Sequence, residues 1–157
     1  MTISAINPAS QLTQEIQAAQ QLLELLKQEQ AFLIEADIDG LASLTKSKSS
    51  AVSRLTELAI ARHRNVGKAG FAASESGMQQ WLASAAGSSA MASWSQLLDV
   101  MQSSKELNHT NGILINTHMT RNQASLAVLQ QNAQGGAFYG PNGQATVKPV
   151  GRGMVIG

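Results

Sequence analysis

From Leu12 onward, apolar residues recur in alternating steps of four and three: Leu12, Ile16, Ala19, Leu23, Leu26 and Leu33, with Gln30 as the polar exception. That alternation is the seam of a coiled coil and predicts a helix from near Ser10, just after Pro8, to about Glu35. Asp37-Ile38-Asp39-Gly40 then supplies turn and N-cap chemistry. A second helix follows, with Leu41, Leu44, Ala51, Leu55 and Leu58 on one line, joined there by Lys48 and Arg62, and it fades near Val66-Gly67. Gly67, Gly70, Gly77 and Gly87 punctuate the next stretch, inside which Met78 to Leu82 makes a short amphipathic helix. A long helix resumes near Ser89 and runs through Trp94, Leu97, Leu98, Met101 and Leu107 to about Gln131.

Charge decides how the first two helices pair. Residues 11–39 carry six acidic side chains against one Lys, and residues 46–68 carry six basic ones against one Glu. Folding the chain about Ile38 sets Glu15 beside Arg62, Glu24 beside Arg54 and Glu29 beside Lys48. Each exposed pair contributes only about 0.2–1 kcal/mol, so the alignment speaks to register more than to stability. It predicts an antiparallel hairpin.

The last helix departs from the simple pattern. Leu107, Leu114, Ile115, Met119, Leu126 and Leu129 share one broad face, but Asn108, Asn111 and Asn122 fall inside it and His118 lies at its edge. A buried amide is costly unless it finds partners, so such residues fix register, line a wet seam, or meet another chain.

Composition narrows the function. Hydrophobic residues make up 43% of the 157, yet aromatics only 4%, which suits helix-on-helix packing and argues against a deep small-molecule pocket. A net charge of +1 leaves no nucleic-acid footprint. Cysteine is absent, and His63, His109 and His118 lack the spacing of a helical zinc pair. No phosphate loop and no nucleophile elbow occurs, so neither catalysis, a metal nor a cofactor is expected. MTISAINPAS has no basic or apolar leader pattern, and no apolar run is long enough to span a bilayer. The expected location is the cytosol. Beyond Asn132 the character changes, since residues 133–157 hold seven of the 13 glycines and two of the three prolines. The expected organisation is a helical bundle over 1–132 and a flexible tail over 133–157, in which the adjacent Phe138 and Tyr139 read as a docking motif.

Leu107-Asn108-x-x-Asn111-Gly112, then Arg121-Asn122-Gln123, Leu126-x-Val128-Leu129 and Tyr139-Gly140-Pro141-Asn142-Gly143-Gln144, resemble the FlgN-type flagellar export chaperones. Glu29-Gln30 and Lys46 to Ser50 sit where that family has similar residues. The resemblance implies a cytosolic chaperone that binds the hook–filament junction proteins, hook-associated proteins 1 and 3, and delivers them to the flagellar type III export gate. It sharpens the reading of the wide face as a cargo surface of Leu107, Asn108, Asn111, Leu114, Ile115, His118, Met119, Asn122 and Leu126. It also implies that Tyr139, supported by Phe138, meets the cytosolic domain of the gate. The competing reading is a helical coiled-coil adaptor whose wide face is consumed by self-association. Either way the expected fold is all-α: an antiparallel coiled-coil-like bundle of three long helices, a short extra helix and a flexible C-terminal tail.

Overall fold

The computed structural model describes residues 6–137, and among them it is all helix: α1 (Leu12–Glu35), α2 (Ile38–Lys68), α3 (Glu75–Ala83), a 3-10 turn at Ser88–Ala90, and α4 (Met91–Ala137). By its contacts the chain divides into two units, residues 1–114 and 115–157. The first holds the bundle. The second, as far as it is described, is the continuation of α4 from Ile115 to Ala137.

The hairpin of α1 and α2 is tighter than the sequence suggests. The chain turns on Ala36 and Asp37 alone, and Ile38, Asp39 and Gly40 already belong to α2. Ala36 adopts the left-handed conformation (φ 55°); its N–H donates to the Leu33 carbonyl and that of Asp37 to the Phe32 carbonyl. These two bonds satisfy the last carbonyls of α1 in a Schellman closure. The Asp37 carboxylate then accepts from the Gly40 N–H at 2.9 Å and caps α2. Gly40 is required because the Phe32 ring lies where its Cβ would be, 2.6 Å away.

Leu12, Ile16, Ala19, Leu26 and Leu33 of α1 are buried against Leu44, Ala51, Leu58 and Val66 of α2, as the heptad lines require. At the far end of the hairpin, α3 and the start of α4 complete the core with Met78, Trp81, Leu82, Ala90, Trp94 and Leu97. Gly77 makes this closure possible. A Cβ there would sit 1.7 Å from the Ala72 carbonyl oxygen, so the loop lies directly on the first turn of α3, whose Ser74 cap accepts from the Gly77 N–H.

Two of the three expected ion pairs form. Lys48 meets Glu29 at 2.5 Å, and Arg62 meets Glu15 at 2.9 Å with side chains only 5% and 3% exposed. The third does not: Glu24 points to Lys27 on its own helix, and Arg54 donates to Gln14 at 3.0 Å. Both Glu24 and Arg54 are solvated, and attraction in water is too weak to hold them together.

Arg62 is the centre of a larger cluster. Its Nε donates to both oxygens of Glu15, while Nη1 and Nη2 donate to Glu75 of α3 at 3.3 and 3.0 Å. The guanidinium lies 4.7 Å from the Trp94 ring centroid of α4, a cation–π contact. His63 adds a 3.0 Å contact to Glu75. Burial pushes the Glu15 carboxyl above its ordinary value, and the charge and hydrogen bond of Arg62 only partly offset this. At Glu75 burial also acts upward, but the Arg62 hydrogen bond and charge, with His63, outweigh it and hold the carboxyl below its ordinary value.

Three outcomes follow from this packing. Arg62→Met leaves Glu15 buried without its cation and is expected to destabilise the protein by about 3–5 kcal/mol at neutral pH, whereas Glu15→Leu with Arg62→Met recovers most of that loss. Denaturant unfolding of the two variants checks it; equal losses would contradict the pairing. The stability contributed by Glu75 is complete above an ordinary glutamate's 4.5 and is lost as pH falls through its lowered folded-state pKa. Glu15 acts in the opposite sense, its contribution being lost as pH rises through its raised pKa. Glu75→Gln should therefore flatten the acid limb of the stability–pH curve, and an unchanged limb would refute the assignment. Gly77→Ala is expected to cost about 1–3 kcal/mol by overpacking, read as a lowered melting temperature; a neutral substitution would mean the loop does not lie on α3.

Candidate binding surface

Arg62 donates to Glu15 through Nε and to Glu75 through Nη1 and Nη2, and the two carboxylates face a guanidinium that cannot give up its proton. Among the described residues no group of three or more His, Cys, Asp or Glu is placed to hold a metal ion. No helix among them is long and apolar enough to cross a membrane. Most of the exposed large hydrophobic side chains among the described residues lie on α4.

Within the bundle, α4 buries Trp94, Leu97, Ser104 and Asn111, successive positions of a seam with three- and four-residue steps or their multiples. Asn111 is the polar tie of this seam. It is 1% exposed, and its Nδ2 donates to the Leu26 carbonyl and to Glu29 Oε1, both at 2.9 Å. Glu29 in turn holds Lys48. One carboxylate thus links α1, α2 and α4 and sets the register of all three. Of the possibilities open to the buried amides, Asn111 takes register; its side chain is directed into the bundle. Leu107 and Leu114 are half-buried nearby and Asn108 is exposed.

The second unit is different. Ile115, Met119, Leu126 and Leu129 are 39%, 54%, 57% and 62% exposed. With Asn122, also exposed, they are spaced by four, three, four and three residues. That spacing lines them up on one side of the helix, an apolar stripe interrupted by a single amide. His118 is half-buried. The expected cargo residues are thus split between two settings, with Leu107, Asn111 and Leu114 packed to varying depth in the bundle and Ile115, Met119, Asn122 and Leu126 on the exposed stripe. Phe138 and Tyr139 lie outside the described residues, and α4 continues past the expected end near Gln131 to Ala137.

Periodicity alone overlooks a second apolar surface, on the side of the bundle where α2 and α4 run past each other. Val52, Leu98 and Met101 are 49%, 46% and 38% exposed there. Val52 lies off the α2 seam, and Leu98 and Met101, though part of the apolar run of the last helix, are not paired with α2 by that run.

Comparison with known proteins gives these surfaces a context. The family model described as "FlgN protein" matches residues 1–146. A curated relative, the "Flagella synthesis protein FlgN" of Proteus mirabilis, is 44% identical over 52 residues, which is 33% of this chain and 35% of that protein. The matched region therefore spans about a third of the length of the curated relative. No solved structure matches. With the family model covering nearly the whole length, and with an all-helical bundle beneath it, the chain belongs to the FlgN family.

Proposed function

We propose that the chain acts in flagellum synthesis as a cytosolic export chaperone. It binds the hook–filament junction proteins, hook-associated proteins 1 and 3, shields their aggregation-prone ends, and delivers them to the flagellar type III export gate. Family membership and the name of the Proteus mirabilis relative support the flagellar role. The observation that carries the chaperone reading is the exposed stripe of Ile115, Met119, Asn122, Leu126 and Leu129. An apolar face of helical periodicity left in water is what a partner segment needs in order to bury its own apolar face. Met119 adapts to different side chains, and Asn122 offers hydrogen bonds to a partner backbone. Leu107, Asn108, Asn111, Leu114 and His118 are the further residues of the proposed cargo surface. The task calls for release as well as binding, so no catalytic group is needed.

Tyr139, with Phe138 as support, is the proposed contact with the cytosolic domain of the export gate. A tyrosine offers a large contact area for few frozen torsions and serves well as an anchor.

Leu126→Asp is expected to abolish binding of a purified junction protein while leaving helicity and melting temperature within error, because the side chain is more than half exposed. Calorimetric titration and circular dichroism check it. Loss of fold would place the stripe in the core; retained binding would remove it from the cargo surface. If the stripe instead serves self-association, Leu126→Asp converts a concentration-dependent oligomer to a monomer. Tyr139→Ala should leave junction-protein affinity unchanged while weakening gate binding and motility together. Equal loss of both affinities would make the tail part of one site.

A further inference from the structure

The side of the bundle between α2 and α4 holds two apolar clefts in a row. One, of about 280 Å³, lies between Leu55 and Ala59 of α2 and Trp94 and Leu98 of α4, with Arg62 at its base. The other, of about 210 Å³, lies between Val52 of α2 and Ser104 of α4, over Leu22 and Leu26. Met101 borders both and forms the wall they share. Their separation has a helical measure. Ala59 to Val52 on α2, and Leu97 to Ser104 on α4, are each seven residues, roughly 10.5 Å at 1.5 Å per residue. A helix laid along the groove presents its i and i+7 side chains at that same interval.

The polar groups state which helix fits. Ser104 is 4% exposed and lines the second cleft, yet its hydroxyl has no hydrogen-bond partner among the described residues. Lys105 borders the same cleft, is exposed, and has no ion-pair partner among the described residues. Lys48 stands opposite, held by Glu29. With Lys48 met by Glu29, Lys105 is the cation that this end of the groove offers, whereas at the other end Arg62 already occupies Glu15 and Glu75. A second copy of this chain is a poor occupant. Its exposed stripe at 115–129 brings Arg121, and no Asp or Glu occurs anywhere after Glu106.

We propose that the α2–α4 groove is a docking site for an amphipathic helix of another protein, with apolar side chains at i and i+7 in the two clefts and a carboxylate one turn further on, at Lys105. This rests on reading the chain as a chaperone for partner polypeptides, and it gives that activity a second contact, separate from the stripe at 115–129. Docking would cover Val52, Leu98 and Met101, in the manner of helix-in-groove recognition.

The test titrates the full-length, methyl-labelled chain with two synthetic helical peptides. Both carry Leu at i, i+4 and i+7; one has Glu at i+11 and the other Lys. The acidic peptide is expected to shift the Met101 and Val52 methyl signals saturably. Lys105→Glu should weaken the acidic peptide about fivefold and favour the Lys peptide instead, the scale of reversing one exposed ion pair. Leu126→Asp should leave the peptide-induced shifts at the Met101 and Val52 methyls unchanged, so failure of the stripe and failure of the groove are read separately. The proposal is overturned by the absence of saturable shifts at these methyls or by a Lys105→Glu variant with no charge preference. It is equally overturned if the same shifts appear on raising the concentration of the chain alone, which would make a second copy the occupant.

Discussion

A guanidinium taken out of water must be met by charge from several sides, and at Arg62 that requirement organises the bundle. The side chain is almost fully buried and cannot neutralise itself by losing a proton. Glu15 of α1, Glu75 of α3 and the Trp94 ring of α4 converge on it from the three other helices. Losing Arg62 would leave the Glu15 carboxylate buried without its cation. Burial pushes the Glu15 carboxyl up despite Arg62, while Arg62 and His63 hold that of Glu75 down, so the two carboxylates do not gain alike from the guanidinium. What it confers is a single way of bringing four helices together. Near the hairpin turn, Glu29 does the same on a smaller scale, receiving Lys48 from α2 and Asn111 from α4.

These two polar ties fix the first stretch of α4 within the bundle. In the first unit α4 spends its seam on Trp94, Leu97, Ser104 and Asn111, all buried. In the second unit a seam of the same spacing, Ile115 to Leu129, remains exposed. One helix thus carries both a structural stretch and a stretch available to partners. The change falls just after Asn111, the residue whose amide is committed to α1.

Much of this was legible in the sequence because it rests on period and charge. The heptad lines of α1 and α2 gave the hairpin, and segregated charges gave its register wherever the paired groups are buried enough to attract, as at Glu15–Arg62 and Glu29–Lys48. Glu24 and Arg54 sit at a matching register but in water, where the same reasoning has no force. Glu75 was not legible as a partner of Arg62, because it follows a glycine-punctuated loop whose path depends on Gly77 lying under Ala72. Asn111 was legible as an anomaly but not as to its role, since an amide on an apolar face reads alike whether it faces a partner or a buried carboxylate. The α2–α4 groove was hidden for a related reason: the period places Leu55, Leu98 and Met101 on helices but does not say which of them the packing leaves exposed beside one another.

We infer that α4 changes role after Asn111, packing before it and binding beyond it. Amide hydrogen exchange of the full-length chain, alone and saturated with a purified hook–filament junction protein, tests this most directly. The amides around Glu15, Arg62 and Asn111 are expected to be protected in the free chain and unchanged on binding, with new protection across 115–129. This change of role would be contradicted if binding left 115–129 unprotected, or if the junction protein altered exchange around Arg62 and Asn111 as strongly as in the stripe.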